Sequence, residues 1–279
     1  MKTLLALVLI LPLSVFAQAA KSCCSTSSTE QFVMLVSDEK FKATHEEPVP
    51  FTFAPERGTN ITFKTSDCTD GRAFEVKAAT RTNRYLFVIH EWWGLNDYIQ
   101  QEAEKLQKDL GNVNVLALDL YDSKVATTRE DASKYVREVK ENRIRAIING
   151  ALDYAGPKAR IGTIGWCFGG GWSLQSALMG GKRVLACVVY YGMPETDVEK
   201  LKTLNAPVLG IFGEQDKGIT PAKVKEFEAA MSKAHKKLTV KMYNADHAFA
   251  NPSNPKHDKA ATEDAHKRTV EFLKKNLLK

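Results

Sequence analysis

Charge of one sign, long apolar runs and C-x-x-C spacings are all scarce or absent in this sequence. Lysine and arginine total 39 against 33 aspartate and glutamate in 279 residues, and the excess of +6 is spread along the chain. No nucleic-acid or membrane-surface patch follows from that pattern. The apolar run from Leu4 to Phe16 contains Pro12 and falls short of the roughly 20 residues a spanning helix needs. No C-x-x-C motif occurs, which removes the main sign of a thiol redox protein. Internal repeats and long low-complexity stretches are absent too, so a repeat architecture is excluded.

What is there begins with export. Lys2 is the only charge before the apolar run, and Ala17-Gln18-Ala19 supplies a small-x-small cleavage site, so residues 1–19 read as a secretory signal peptide and the expected location is periplasmic or secreted. Five cysteines in an exported chain cannot all pair with one another. Cys23 and Cys24 are adjacent in a Ser/Thr-rich arm and Cys68 sits in a turn; their pairing is left open. Cys187 lies in an apolar run and reads as a small buried hydrophobe.

Residues 20–60 read as an arm rather than a domain, with a helix-like patch at Phe32 to Val36 and a break at Pro48-Val49-Pro50. Residues 61–279 carry the domain. Ile61 to Lys64 and Ala73 to Ala78 form an expected hairpin around Asp70-Gly71. Buried strands then alternate with helices: strands at Tyr85 to Ile89, Val113 to Leu118, Arg160 to Gly165, Val184 to Tyr190, Pro207 to Phe212 and Leu238 to Tyr243, and among the helices one long element over Glu130 to Tyr154 and a last one over Asp258 to Leu278. Alternation of this kind implies an α/β fold with a mostly parallel sheet covered by helices on both faces. Reactive residues then belong at the carboxyl ends of strands.

The strongest local signal is Gly165-Trp166-Cys167-Phe168-Gly169, joining a strand to a helix in the form G-x-C-x-G. A nucleophile on such a turn takes strained backbone angles, and the flanking glycines let strand and helix pass closely. The turn also sets the Phe168 N–H at a helix start, where it can donate to an oxyanion. The ordinary reading of a buried cysteine in a glycine-rich turn is structural, but the turn makes a further demand: an acid, then a histidine, must follow in chain order. Asp216 follows the strand ending at Phe212, and His247 follows the strand ending at Tyr243. Glu214 is a rival acid. Asp246 adjoins the histidine and is badly placed to orient it. His90, ahead of the nucleophile, reads as structural, and His45 is set aside with the arm. Glu91, beside Trp92 and Trp93, reads either as a pocket-wall carboxylate or as an ordinary surface one.

These residues resemble the dienelactone hydrolases (carboxymethylenebutenolidases), from about Ile61 to the carboxyl end. The matching segments are His90-Glu91-Trp92-Trp93-Gly94-Leu95-Asn96, Asp119-Leu120-Tyr121, Gly165 to Gly170, Gly213 to Asp216 and His247-Ala248-Phe249. The resemblance implies an α/β-hydrolase fold, a Cys167-His247-Asp216 triad, a contact of Glu91 with the resting thiol, and the Trp92 N–H as second oxyanion donor. It departs at Asn251, where the family carries an arginine that grips the substrate carboxylate. A second such arginine has no clear counterpart among Arg129, Arg137 and Arg143. Trp93, Phe249 and Asn251 are the candidate substrate-binding residues.

The expected activity is therefore ester or lactone hydrolysis on a small-molecule substrate through an acyl-thioester on Cys167, with no metal or organic cofactor and no nucleic-acid or stable membrane partner. Acyl transfer or thioester cleavage on the same triad remains open, as does a thiol redox or binding role.

Overall fold

β1 (Gly58–Phe63), β2 (Gly71–Val76), β3 (Arg84–Ile89), β4 (Asn114–Asp119), β5 (Arg160–Trp166), β6 (Val184–Tyr190), β7 (Val208–Gly213) and β8 (Leu238–Tyr243) build one sheet in the order β1-β2-β4-β3-β5-β6-β7-β8. The structure is a computed structural model and describes residues 28–279; the signal-like segment and Cys23-Cys24 lie outside the described residues. β1 and β2 are antiparallel, β2 joins β4 antiparallel, and the remaining neighbours are parallel. The central parallel strands β3, β5, β6 and β7 are largely buried and rich in Val, Ile, Leu and Phe, as strands covered on both faces must be, while the edge strand β8 is part-buried. Together with its helices, the sheet is an α/β-hydrolase fold.

Connecting helices are α3 (Asp97–Leu110), α4 (Arg129–Glu138), α5 (Glu141–Ala155), α6 (Phe168–Gly180), α7 (Val198–Lys202), α8 (Pro221–Lys233) and α9 (Lys259–Leu277). Five of these starts have a side-chain cap. Asn96, Thr128, Asp197, Thr220 and Asp258 accept hydrogen bonds from first-turn N–H groups, and Pro221 supplies a helical φ. The single helix expected over Glu130 to Tyr154 is two. Val139 and Lys140 are extended, with ψ of 131° and 134°, and Val139 packs on the core. The break lets α4 bury Ala132 and Val136 while α5 independently buries Ile144, Ile147 and Ile148.

The arm is more ordered than its composition suggests. It forms α1 (Ser28–Val36) and α2 (Glu39–Ala43), then runs on extended. Phe32, Val36 and Phe41 are buried, and α1 packs against α4 and α6. Ser133 donates to the Val36 carbonyl, Tyr98 to that of Val49, and the Phe53 N–H to Asp97. Among the described residues no helix is long and apolar enough to cross a membrane.

Register places the reactive loops together. Ile89 pairs with Gly165, Trp166 with Tyr190, and Gly213 with Tyr243. The loops that follow these strand ends carry Glu91, Cys167, Tyr191, Asp216 and His247.

Candidate active site

Cys167 has φ 54° and ψ −116°, a conformation L-residues avoid at a cost of roughly 1–3 kcal/mol. Surrounding packing enforces it. A Cβ on Gly165 would lie 2.0 Å from the Gly169 carbonyl oxygen, and one on Gly169 would lie 2.3 Å from the carbonyl oxygens of Ile89 and His90. Only glycine fits at either position, so β5, α6 and β3 meet at van der Waals limits beneath the thiol. The Cys167 carbonyl accepts from the Gly170 and Gly171 N–H groups, and the Phe168 N–H, first in α6, faces the sulfur. Burial raises the thiol above its ordinary value. His247 and the Phe168 N–H pull the other way, while Glu91 adds to the rise.

His247 and Asp216 form a close polar pair, Nδ1 to Oδ2 at 2.6 Å, both buried. The other Asp216 oxygen accepts from the Gly218 and Ile219 N–H groups, each at 2.8 Å. Burial would push this carboxyl up, but His247 and the two N–H groups hold it below its ordinary range. Burial likewise opposes charge on His247, and Asp216 and Cys167 outweigh it, raising the imidazole well above its usual value. Nε2 of His247 is buried with no hydrogen-bond partner, on a ring whose free nitrogen lies within 4.8 Å of the Cys167 sulfur.

Glu91 is buried, and its hydrogen bonds come from the Tyr191 hydroxyl at 3.2 Å and from the Asn251 side-chain amide. Burial pushes its carboxyl up to about 7, against the lowering pull of His247, Tyr191 and Asn251. Its influence on the thiol is electrostatic, since both oxygens serve these two donors. Asn251 is held from its other end, Oδ1 accepting from the Ser253 N–H and hydroxyl.

The remaining candidates separate cleanly. Glu214 is exposed, and Asp246 accepts from the His247 backbone N–H, so neither orients the ring. The Nδ1–H of His90 donates to the Glu91 carbonyl while Nε2 accepts from the Leu120 N–H, a structural role. Trp92 is fully buried and Trp93 lines a cavity of about 310 Å³. Glu91, Asn251, Trp166 and Tyr190 share that cavity; Cys167 and His247 are not among its walls. Phe249 packs edge-on against Tyr191 and at a tilt against Tyr243. Arg143 is spent on Asp67 and Asp122, and Arg137 is exposed. Only Arg129, of these three, places its charge near the site, where it acts on His45. Cys187 is buried in β6 beside Ser173, and Cys68 is exposed.

His45 was not expected here. It is buried, with Nδ1 donating to the Phe41 carbonyl at 2.9 Å and Nε2 facing the Cys167 sulfur at 3.9 Å. Burial, then His247, lowers it to about 3. Its ring packs on Trp92 and His247, and Phe41 packs on both histidines. Phe32 rests on Phe168. Tyr191, the donor to Glu91, also borders His247. The one hint in the sequence was the set Phe32, Val36 and Phe41, too apolar for a free arm; nothing in the order of residues pointed to His45.

The dienelactone hydrolase family model matches residues 70–277. The chain belongs to the dienelactone hydrolase family. Protein usf of Aquifex pyrophilus is 29% identical over 204 residues, 69% of this chain and 88% of that protein. Carboxymethylenebutenolidase 1 of Cupriavidus pinatubonensis is 25% identical over 216 residues, 72% of this chain and 90% of that protein. Among solved structures, the dienelactone hydrolase-like promiscuous phosphotriesterase P91, from metagenomic libraries, has a TM-score of 0.67 at 21% identity, covering 79% of this chain and 99% of its own; that likeness concerns the fold. Membership of the dienelactone hydrolase family supports hydrolase activity. The family match begins after the arm, so Phe41 and His45 lie outside it.

Proposed function

We propose that this protein hydrolyses ester or lactone bonds of a small-molecule substrate through an acyl-thioester on Cys167. The observation that carries the reading is the 2.6 Å His247–Asp216 hydrogen bond beside a cysteine held at positive φ on a strand-to-helix turn. The Cys167 sulfur, deprotonated towards His247, attacks the carbonyl carbon. The carbonyl oxygen takes up the electron pair against the N–H groups of Phe168 and Trp92. Collapse of the tetrahedral species breaks the carbon–oxygen bond, and the imidazolium of His247 protonates the departing alkoxide. Water, deprotonated by His247, then attacks the thioester, releasing the acid and returning the proton to sulfur. Asp216 keeps the ring oriented and stabilises its charge. Trp93 and Asn251, at the cavity, are the substrate-facing candidates. The signal-like residues 1–19 support export, and fractionation of tagged protein checks it.

A chromogenic aryl ester tests the reaction. Rapid mixing should give a burst of about one phenol per chain followed by slower turnover, and both phases should vanish after thiol alkylation. Turnover that survives alkylation of Cys167 would refute the cysteine mechanism.

A further inference from the structure

The geometry points to a cation site made by His45, Cys167 and His247, which takes a borderline or soft metal ion, with Zn²⁺ as the type case, and ties the arm to the catalytic thiol. Three ligand atoms, one from each residue, lie within 4.8 Å of one another in a buried cluster. A tetrahedral ion with Zn–S near 2.3 Å and Zn–N near 2.0–2.1 Å keeps its ligand atoms about 3.4–3.6 Å apart. The 3.9 Å between His45 Nε2 and Cys167 Sγ is within a few tenths of an ångström of that spacing.

Both rings are aimed from behind. Nδ1 of His45 donates to the Phe41 carbonyl and Nδ1 of His247 is bonded to Asp216, so it is Nε2 of each that remains for a ligand. Metal-binding histidines are oriented by such outer partners, a carbonyl or a carboxylate on the far nitrogen. Nε2 of His247 gives the independent observation: it is buried, makes no hydrogen bond of ordinary length, and has the Cys167 thiol as its neighbour. The chemistry of the donors selects the ion, since one thiolate and two imidazoles favour Zn²⁺, Co²⁺ or copper over Mg²⁺ or Ca²⁺. Carboxylates at Asp216 and Glu91 stand behind the cluster and offset an incoming dication, against the opposing charge of Arg129.

Binding forms one sulfur–metal and two nitrogen–metal bonds and releases to solvent the thiol proton and the proton a charged His247 carries on Nε2, with no change of oxidation state. Three protein ligands leave a fourth position for water. While the ion is held, the sulfur is unavailable to a carbonyl carbon. His45 comes from outside the family-matched region, so the site belongs to this chain's arm as much as to its hydrolase core.

Reduced full-length protein titrated with Co²⁺ reads the site directly, through the thiolate-to-cobalt charge-transfer band, and Zn²⁺ calorimetry gives the affinity. One ion per chain is expected. Cys167→Ser should abolish the band, and His45→Ala should weaken Zn²⁺ binding by about tenfold or more. Melting temperatures identify any variant that fails to fold, and His45→Gln, which keeps the ring's volume more nearly, then replaces His45→Ala. No stoichiometric binding, equal affinity with and without His45, or a band that persists in Cys167→Ser and so belongs to other cysteines would each overturn the proposal. Because the readout is metal binding, none of these outcomes bears on ester hydrolysis.

Discussion

The Asn251 side chain donates its amide to the Glu91 carboxylate, 160 residues away in the sequence. Both residues line the cavity, so the position where the sequence resemblance leads one to expect a substrate-gripping arginine is taken up here by a neutral group already bound to a buried acid. A bidentate arginine–carboxylate contact contributes about 1.5–3 kcal/mol, or roughly 10- to 150-fold in binding. Neutral esters or lactones should therefore be processed at least as well as carboxylate-bearing ones with the same leaving group, measured as kcat/KM. A strong anionic preference that collapses in Arg129→Ala would show that Arg129 supplies the missing charge.

Glu91 sets a second expectation, on thiol chemistry. A carboxylate beside a buried sulfur disfavours the thiolate, and Glu91 raises the Cys167 thiol in this way. Glu91→Gln should lower the apparent pKa read from the alkylation rate of Cys167 against pH. An unchanged value would remove Glu91 from the thiol's surroundings.

The same residue should shape stability. Its carboxyl lies at about 7 in the folded protein against 4.5 for a free side chain. The folded state therefore holds this proton more tightly, and stability falls as pH rises from about 4.5 to 7, by up to roughly 3 kcal/mol from this group. Glu91→Gln removes that loss. Its melting temperature relative to wild type should rise between pH 5 and pH 8, whatever constant offset the substitution brings. A parallel pair of curves would contradict the assignment.

Cys167→Ala and His247→Ala should each lower kcat by about 10⁴ or more, and the double variant should be little worse, because the residues act as one unit. Asp216→Asn should cost less than the histidine change yet still on the order of 10²-fold. If Glu214 variants lost more than Asp216 variants, the acid would have been misassigned; the exposure of Glu214 argues against that.

Phe41 packs on His247 and His45, and Cys167 is 1% exposed, so a reagent reaches the sulfur only when the arm opens locally. Phe41→Ala should weaken arm packing by about 3–5 kcal/mol and speed alkylation of Cys167 by iodoacetamide by roughly 10²-fold or more at fixed pH. An unchanged rate would mean that reagents enter by another route.

The sheet was legible because its buried strands are continuous apolar runs, and the elbow because its glycines sit at a fixed spacing around Cys167. Chain order then singled out Asp216 and His247. Two features resisted for physical reasons. The division of α4 from α5 rests on two extended residues, Val139 and Lys140, and no proline or glycine marks it. His45 is brought to the site by tertiary packing of Phe32, Val36 and Phe41, and a histidine in a polar arm carries no periodic signal of its own.

Where the arm docks also fixes when it can dock. His45 meets a sulfur 122 positions later in the chain, and Phe41 meets an imidazole in the loop after the last strand. Contacts of such sequence separation cost loop-closure entropy that local pairings do not, so they are expected to form after the local ones. The first described helices to leave a ribosome are thus expected to be among the last to find their place. A sheet folded ahead of its arm would leave the Cys167 thiol without the cover of Phe41 and His45, open to oxidants and alkylating agents until the arm docks.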